Sequence, residues 1–248
     1  IAKLPASENN GRAYDYYDKY TVRFTDTLSE GITFDKLDTV EITNGDGSTP
    51  QVINNYTLDP NDPQSSFKLS IDDVKTCVPD LNKGATITVT YTAHLNDNAT
   101  VNTAGGPATT DNKNRVYLEY SNNPRIDTSL DQTTTSEVCV YTYQLNNTKY
   151  HDDDTQGNEL GGAGFKLYSD ADCKNEVKLY QKDNFYFPIK DATDKDAVEM
   201  MISGQDGQFN VKGLDAGTYY LKETNPPTDY NACADKKIVI SATHTEYN

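Results

Sequence analysis

Tyr20-Thr-Val-Arg-Phe-Thr-Asp26 alternates with period two. That spacing sets Tyr20, Val22, Phe24 and Asp26 on one face of an extended strand, with Thr21, Arg23 and Thr25 on the other. A turn at Ser29-Glu-Gly31 follows, and then the apolar-polar triplet Ile32-Thr-Phe34. The same reading places strands at Thr39–Thr43, Ser66–Ser70, Ala85–Tyr91, Arg115–Tyr120 and Glu137–Tyr143. Between them lie polar stretches rich in Asn, Asp, Gly and Pro, notably 54–64 and 96–112, which read as loops. One helical turn is expected within Ile71–Leu81. Short strands with turn signals and almost no helical periodicity predict an all-β sandwich.

Composition agrees. The 248 residues include 18 Tyr, 2 Met and no Trp, and Thr and Val are frequent, a bias that favours strands. Only 35% of residues are hydrophobic, so each core is expected to be thin. Lys and Arg number 22 against 38 Asp and Glu, a formal charge of −16 that repels phosphate backbones and anionic lipid. Nucleic-acid and membrane-surface partners are therefore not expected. The length fits two domains of ordinary size.

A second unit begins near Tyr143, with strands expected at 145–150, 164–168, 176–180, 207–211, 218–223 and 236–241. No Gly/Pro linker interrupts 138–149, so a short, strand-like and stiff connection is expected. The domains are thus read as 1–143 and 144–248. Cys77, Cys139, Cys173 and Cys233 allow three pairings, of which 77–139 with 173–233 puts one staple in each half. That pattern suits an oxidising compartment, and four reduced buried thiols are the alternative.

Three segments of the second unit belong together: Leu160-Gly-Gly-Ala-Gly-Phe-Lys-Leu-Tyr168, Gly207-Gln-Phe-Asn-Val-Lys-Gly-Leu214 and Gly217-Thr-Tyr-Tyr-Leu-Lys-Glu-Thr-Asn-Pro-Pro227. They resemble the Cna-B domain of Gram-positive surface proteins and sortase-assembled pilins, the last being similar to its E-box, Tyr-x-Leu-x-Glu-Thr-x-x-Pro. In the first unit, Phe24–Phe34 and Val116–Pro124 resemble the CnaA-like middle domain of backbone pilins. The resemblance spans nearly the whole chain. It implies two tandem Ig-like β-sandwich domains, CnaA-like then CnaB-like, with no cofactor and no enzymatic activity beyond self-crosslinking.

In that family a lysine and an asparagine join in a self-made isopeptide bond assisted by an acidic residue. The amine must be neutral to attack and the acid protonated to relay protons, and burial is expected to favour both by lowering a Lys pKa and raising a Glu pKa. In the second unit Leu145 and Lys149 share one face, as do Tyr219, Leu221 and Glu223, and Ile238 and Ile240 are in phase with Asn248 if the last strand is unbroken. With the resemblance, this assigns Lys149 as nucleophile, Asn248 as electrophile and Glu223 as relay. In the first unit Asp26 is the buried-acid candidate and Asn122, in phase with Val116, Leu118 and Tyr120, its asparagine. The matching lysine is expected upstream of Ile1, with Lys3 the one nearby substitute.

Other constellations are weaker. His151-Asp-Asp-Asp-Thr-Gln-Gly157 sets Asp152, Asp154, Gln156 and Gly157 in the register of the first half of a calcium loop, but position twelve is Ala163, and a solvated acidic loop is the expectation. His94, His151 and His244 are too scattered for a metal or catalytic triad. The resemblance implies the shaft subunit of an extracellular, cell-wall pilus, linked to other pilin subunits by sortase. The alternative is the stalk or ligand-binding region of an adhesin for host protein or glycan, using loops 44–64 and 96–112 as contact surfaces. Neither a sorting signal nor a Tyr-Pro-Lys-type pilin motif stands within the sequence, so the polymerising lysine is expected outside it.

Overall fold

The computed structural model describes residues 1–62, 66–102, 111–189 and 197–241. They fall into two compact units, one made of 1–99 with 111–140 and the other of 100–102 with 141–241. The described part of the second unit thus includes Thr100–Asn102, from a stretch that lies between two strands of the first unit. Asn102 N–H donates to Thr142 O at 2.8 Å, and Gln144 N–H to Asn102 O at 2.8 Å.

The first unit's strands are β1 (Ala2–Leu4), β2 (Val22–Leu28), β3 (Ile32–Asn44), β4 (Gln51–Val52), β5 (Thr57–Asp62), β6 (Ser66–Ile71), β7 (Ala85–Leu95), β8 (Lys113–Ser121), β9 (Leu130–Gln132) and β10 (Ser136–Cys139). They build two sheets, ordered β1-β7-β3-β4 and β10-β8-β2-β6-β5, with β9 also on β8. Alternation decides which face is buried: Val22, Phe24, Asp26 and Leu28 of β2 and Phe67, Leu69 and Ile71 of β6 point inward. Of these, Val22, Phe24, Phe67, Leu69 and Ile71 meet Leu4, Val40, Ile42 and Ile87 of the facing sheet in one core. The aromatic rings of Phe34, Phe67 and Tyr91 pack within it at centroid separations of 4.9–5.7 Å.

Two expected short strands, Ile32–Phe34 and Thr39–Thr43, are the ends of the single strand β3. Its register against β7 slips between Phe34 and Lys36 and again between Leu37 and Thr39. These bulges break the period-two pattern without ending the ladder. The expected helical turn is a 3-10 turn at Val74–Thr76, capped by the Asp73 carboxylate accepting Lys75 N–H.

In the second unit, β11 (Tyr143–Leu145), β13 (Leu179–Lys182), β14 (Phe185–Pro188) and β16 (Asn210–Leu214) form one sheet, ordered β11-β16-β14-β13. The other contains β12 (Gly164–Tyr168), β15 (Met201–Ile202), β17 (Gly217–Asn225) and β18 (Lys236–Ile240), ordered β15-β12-β17-β18. Phe165 and Leu167 from one sheet and Tyr186, Val211 and Leu214 from the other close a second core, with the Phe165 and Phe209 rings stacked at 4.1 Å. The expected strand 145–150 is shorter than its pattern. Beyond Leu145 the chain keeps contact through single bridges, Thr148 to Gln208 and Tyr150 to Glu159.

The expected cysteine pairs, 77–139 and 173–233, are not joined in this structure. All four are free thiols. Cys77 follows the turn whose Val74 N–H bonds Tyr20 O, beyond the Val22 end of β2, whereas Cys139 pairs with Lys113 at the Leu28 end. Six residues of strand, about 20 Å, separate those ends, far beyond the roughly 7 Å Cα limit of a disulfide. Cys173 lies in the turn after Tyr168, while Cys233 N–H bonds Glu223, which is level with Phe165. Three residues of β12, about 10 Å, lie between those levels.

Candidate functional site

Lys149 and Glu223 reach each other from different sheets of the second unit. The segment around Lys149 continues the edge of the β11 sheet: its N–H donates to Gly207 O at 2.9 Å, and its carbonyl accepts from Leu160 N–H at 2.9 Å. Gly207 has φ +71°, and a Cβ there would stand 2.5 Å from Lys149 O, so only glycine lets the two backbones approach. Glu223 lies on β17 opposite Phe165 of β12. Strand parity turns it inward with Tyr219 and Leu221, which pack on the core.

The Lys149 ammonium donates to Glu223 Oε2 at 3.1 Å. Its side chain is 12% exposed and that of Glu223 is 0% exposed, so the ion pair is dry. Glu223 Oε2 also accepts Cys233 N–H at 2.7 Å. Oε1 is buried and has no hydrogen-bond partner among the described residues. Burial alone would raise the Glu223 pKa, as the sequence reading expects. The hydrogen bonds from Cys233 and the bond and charge of Lys149 outweigh it and hold the carboxyl below its ordinary value. These neighbours therefore favour the Glu223 carboxylate. Nothing in the sequence marked Cys233, ten residues further on, as the donor that reverses the shift.

Asn248 lies outside the described residues. The described part of β18 runs antiparallel to β17, from Lys236 opposite Leu221 to Ile240 opposite Gly217, and so leads away from Glu223.

In the first unit Asp26 is buried, as its phase predicts. Tyr91 Oη donates to both its oxygens at 3.4 Å, and Asn114 Nδ2 donates to Tyr91 Oη. Burial raises Asp26 to about 6, against hydrogen bonds from Asn114 and Tyr91 that favour the carboxylate. Asn122 is not part of this cluster. Strand β8 ends at Ser121, and Asn122 is exposed, its Oδ1 accepting Ser129 Oγ–H at 2.7 Å. Val116 is the residue opposite Asp26, and Asn122 lies six positions, about 20 Å, beyond it. The asparagine beside the acid is Asn114, two positions before Val116, whose buried Oδ1 has no partner among the described residues. It has the parity that singled out Asn122; the signal missed was level along the strand. Lys3 is exposed on β1.

The acidic loop is organised by Asp153, which accepts Thr155 N–H at 3.1 Å and Asn158 Nδ2–H at 2.8 Å. Asp152 and Asp154 are exposed, and Asp152 lies 2.9 Å from His151 Nδ1. Among the described residues no three His, Cys, Asp or Glu side chains are placed to hold a metal ion. No described helix is long and apolar enough to cross a membrane.

Comparison with known proteins follows the same division. Residues 144–248 match the family model described as SpaA, prealbumin-like fold domain. No curated protein matches the chain. Among solved structures, the C-terminal fragment of the major pilin GBS80 of Streptococcus agalactiae is 22% identical with TM-score 0.64, over 93% of this chain and 81% of that one. Domains D2 and D3 of the major pilin SpaD of Corynebacterium diphtheriae are 22% identical with TM-score 0.60, over 97% and 81%. The pilus backbone RrgB of Streptococcus pneumoniae is 18% identical with TM-score 0.56, over 96% and 84%. Residues 144–248 thus match a prealbumin-like domain, and the fold of the chain is that of these major-pilin structures.

Proposed function

We propose that this chain is the structural shaft subunit of a covalently polymerised Gram-positive surface pilus. It is joined to other subunits by sortase and displayed at the cell wall. Its second unit is stiffened by an isopeptide bond from Lys149 to Asn248, with Glu223 as proton relay. The observation that carries this reading is the dry Lys149–Glu223 pair, an amine and an acid 3.1 Å apart between two sheets.

A lone ion pair in this position adds little stability, because desolvation offsets most of its attraction. Its value is chemical. The ammonium passes a proton to Glu223 across the existing hydrogen bond, which neutralises both groups together. The free amine then attacks the carboxamide carbon, and the protonated acid hydrogen-bonds the carbonyl oxygen. The Lys Nζ–Cγ bond forms as the Cγ–Nδ2 bond breaks, and the proton that Nζ gives up passes through Glu223 to Nδ2, which leaves as ammonia. Glu223 Oε1 is the oxygen available to the incoming carboxamide. For Asn248 to arrive there, the chain must turn back after Ser241.

Asp26 and Asn114 are the corresponding acid and amide in the first unit and would accept a lysine side chain from outside the described residues. Two measurements test the reading. Cell-wall extracts probed with antibody to this chain should show a ladder of polymers; a single monomer band contradicts the shaft role. Fragment sequencing of a digest should yield a branched peptide joining Lys149 to Asn248; linear peptides ending at Lys149 contradict the crosslink.

A further inference from the structure

The first unit carries a cleft of about 490 Å³ whose lining shares no residue with the Asp26 cluster. Arg12, Asp46, Asp80, Asn82 and Lys83 line it, with Gly45 in its wall. Its volume lies within the roughly 300–1,000 Å³ of small-molecule sites.

The walls are fixed before any ligand arrives. Asn82 Oδ1 accepts Ser7 Oγ–H at 3.0 Å and Tyr14 N–H at 3.1 Å, while its Nδ2 donates to Asp15 Oδ1 at 2.8 Å and Asp80 Oδ1 at 3.1 Å. On the other side Gly45 N–H bonds Gly84 O at 2.9 Å, and a Cβ at Gly45 would lie 1.7 Å from Lys83 O. The close backbone approach at that wall thus depends on glycine.

The cleft is lined by charges of both signs, Arg12 and Lys83 with Asp46 and Asp80, and Asp15 stands behind the wall paired to Arg12. In a chain of net charge −16 this cleft sets strong cationic donors and anionic acceptors together. The carboxylates are half used. Asp80 Oδ1 takes Asn82 N–H at 3.1 Å as well as Nδ2–H, and Asp46 Oδ1 takes Ser48 N–H at 3.0 Å. Arg12 bonds Asp15 through Nε, which leaves its two terminal nitrogens. A polyanion would need surplus cations, and a divalent cation would need carboxylates free of neighbouring ammonium and guanidinium groups. No aromatic ring lines the cleft to stack a sugar. What matches two cations interleaved with two carboxylates is a molecule carrying one of each charge.

We propose that this cleft binds a small zwitterion of dipeptide size, its carboxylate on Arg12 or Lys83 and its ammonium on Asp46 or Asp80. The test is titration of the 15N-labelled full chain with glycylglycine, beside N-acetyl-glycylglycine and glycylglycinamide, each of which lacks one charge. Glycylglycine should move the amides of Gly45, Asn82 and Lys83 with a Kd of about 1 mM, and each blocked peptide should bind about tenfold more weakly. Arg12→Ala and Asp46→Asn should each weaken binding about tenfold with unchanged melting temperature. Inorganic phosphate and lactose serve as controls. No movement of those amides at about 50 mM glycylglycine, equal binding of the three peptides, tighter binding of phosphate or lactose, or indifference to both substitutions overturns the proposal.

Discussion

Two buried acids, Asp26 and Glu223, sit on inward faces of strands and are held in opposite protonation tendencies by their neighbours. The hydrogen-bond partners of the Asp26 cluster among the described residues, Tyr91 and Asn114, are neutral, so burial prevails and its pKa rises to about 6. Its folded value exceeds the ordinary 3.8, so its contribution to stability is complete below pH 3.8 and is lost as pH rises through about 6. Asp26→Asn should flatten that part of the stability profile and raise stability at pH 7 by about 2–3 kcal/mol, read from denaturant melts at pH 4 and pH 7. An unchanged slope between those two pH values would show that Asp26 is not buried as a lone acid. Glu223 is the reverse case. In protein lacking the crosslink, its depressed value contributes stability above the ordinary 4.5 that is lost as pH falls through the folded value.

Strands and their junctions show which features the sequence carried openly. Period-two patterns placed β2, β6, β8 and β17 and gave Asp26 and Glu223 their inward faces, because parity depends only on local geometry. Level along a strand is not local. Asn114 and Asn122 have the same parity on or just past β8, and only pairing with β2 sets one near Asp26 and the other about 20 Å from Val116. The bulges of β3 were hidden for a related reason, since a bulge shows itself only against its partner. Lys149 was legible by residue type, but what fixes it is the turn at Gly207, which faces it across the sheet. Gly207→Ala should therefore cost about 1–2 kcal/mol, from a left-handed φ and a displaced Lys149 carbonyl. It should also slow crosslink formation, followed as the growth of the lighter species by mass spectrometry. Full stability with undiminished crosslinking would contradict this role for the turn.

Across the chain, a hydrophobic content of 35% is divided between two separate cores, so neither unit has apolar surface to spare. A crosslink from Lys149 to Asn248 would close a loop of about 100 residues, and by analogy with a disulfide would add about 5 kcal/mol through the unfolded state. That corresponds to about 20 °C or more in the melting temperature of a domain this size. This reading of the molecule rests on the isopeptide rather than on disulfide staples. The charge of −16 suits a solvated, exposed surface, while the cleft at Arg12 and Asp46 carries both signs of charge.

The most direct test is the intact mass of the reduced parent chain beside Lys149→Ala and Glu223→Ala. The parent should weigh less than its sequence mass by one ammonia, and each variant, after correction for its substitution, should regain that ammonia and melt at lower temperature. A parent at full sequence mass, indistinguishable from the variants in mass deficit and melting temperature, would contradict the crosslink on which the account rests.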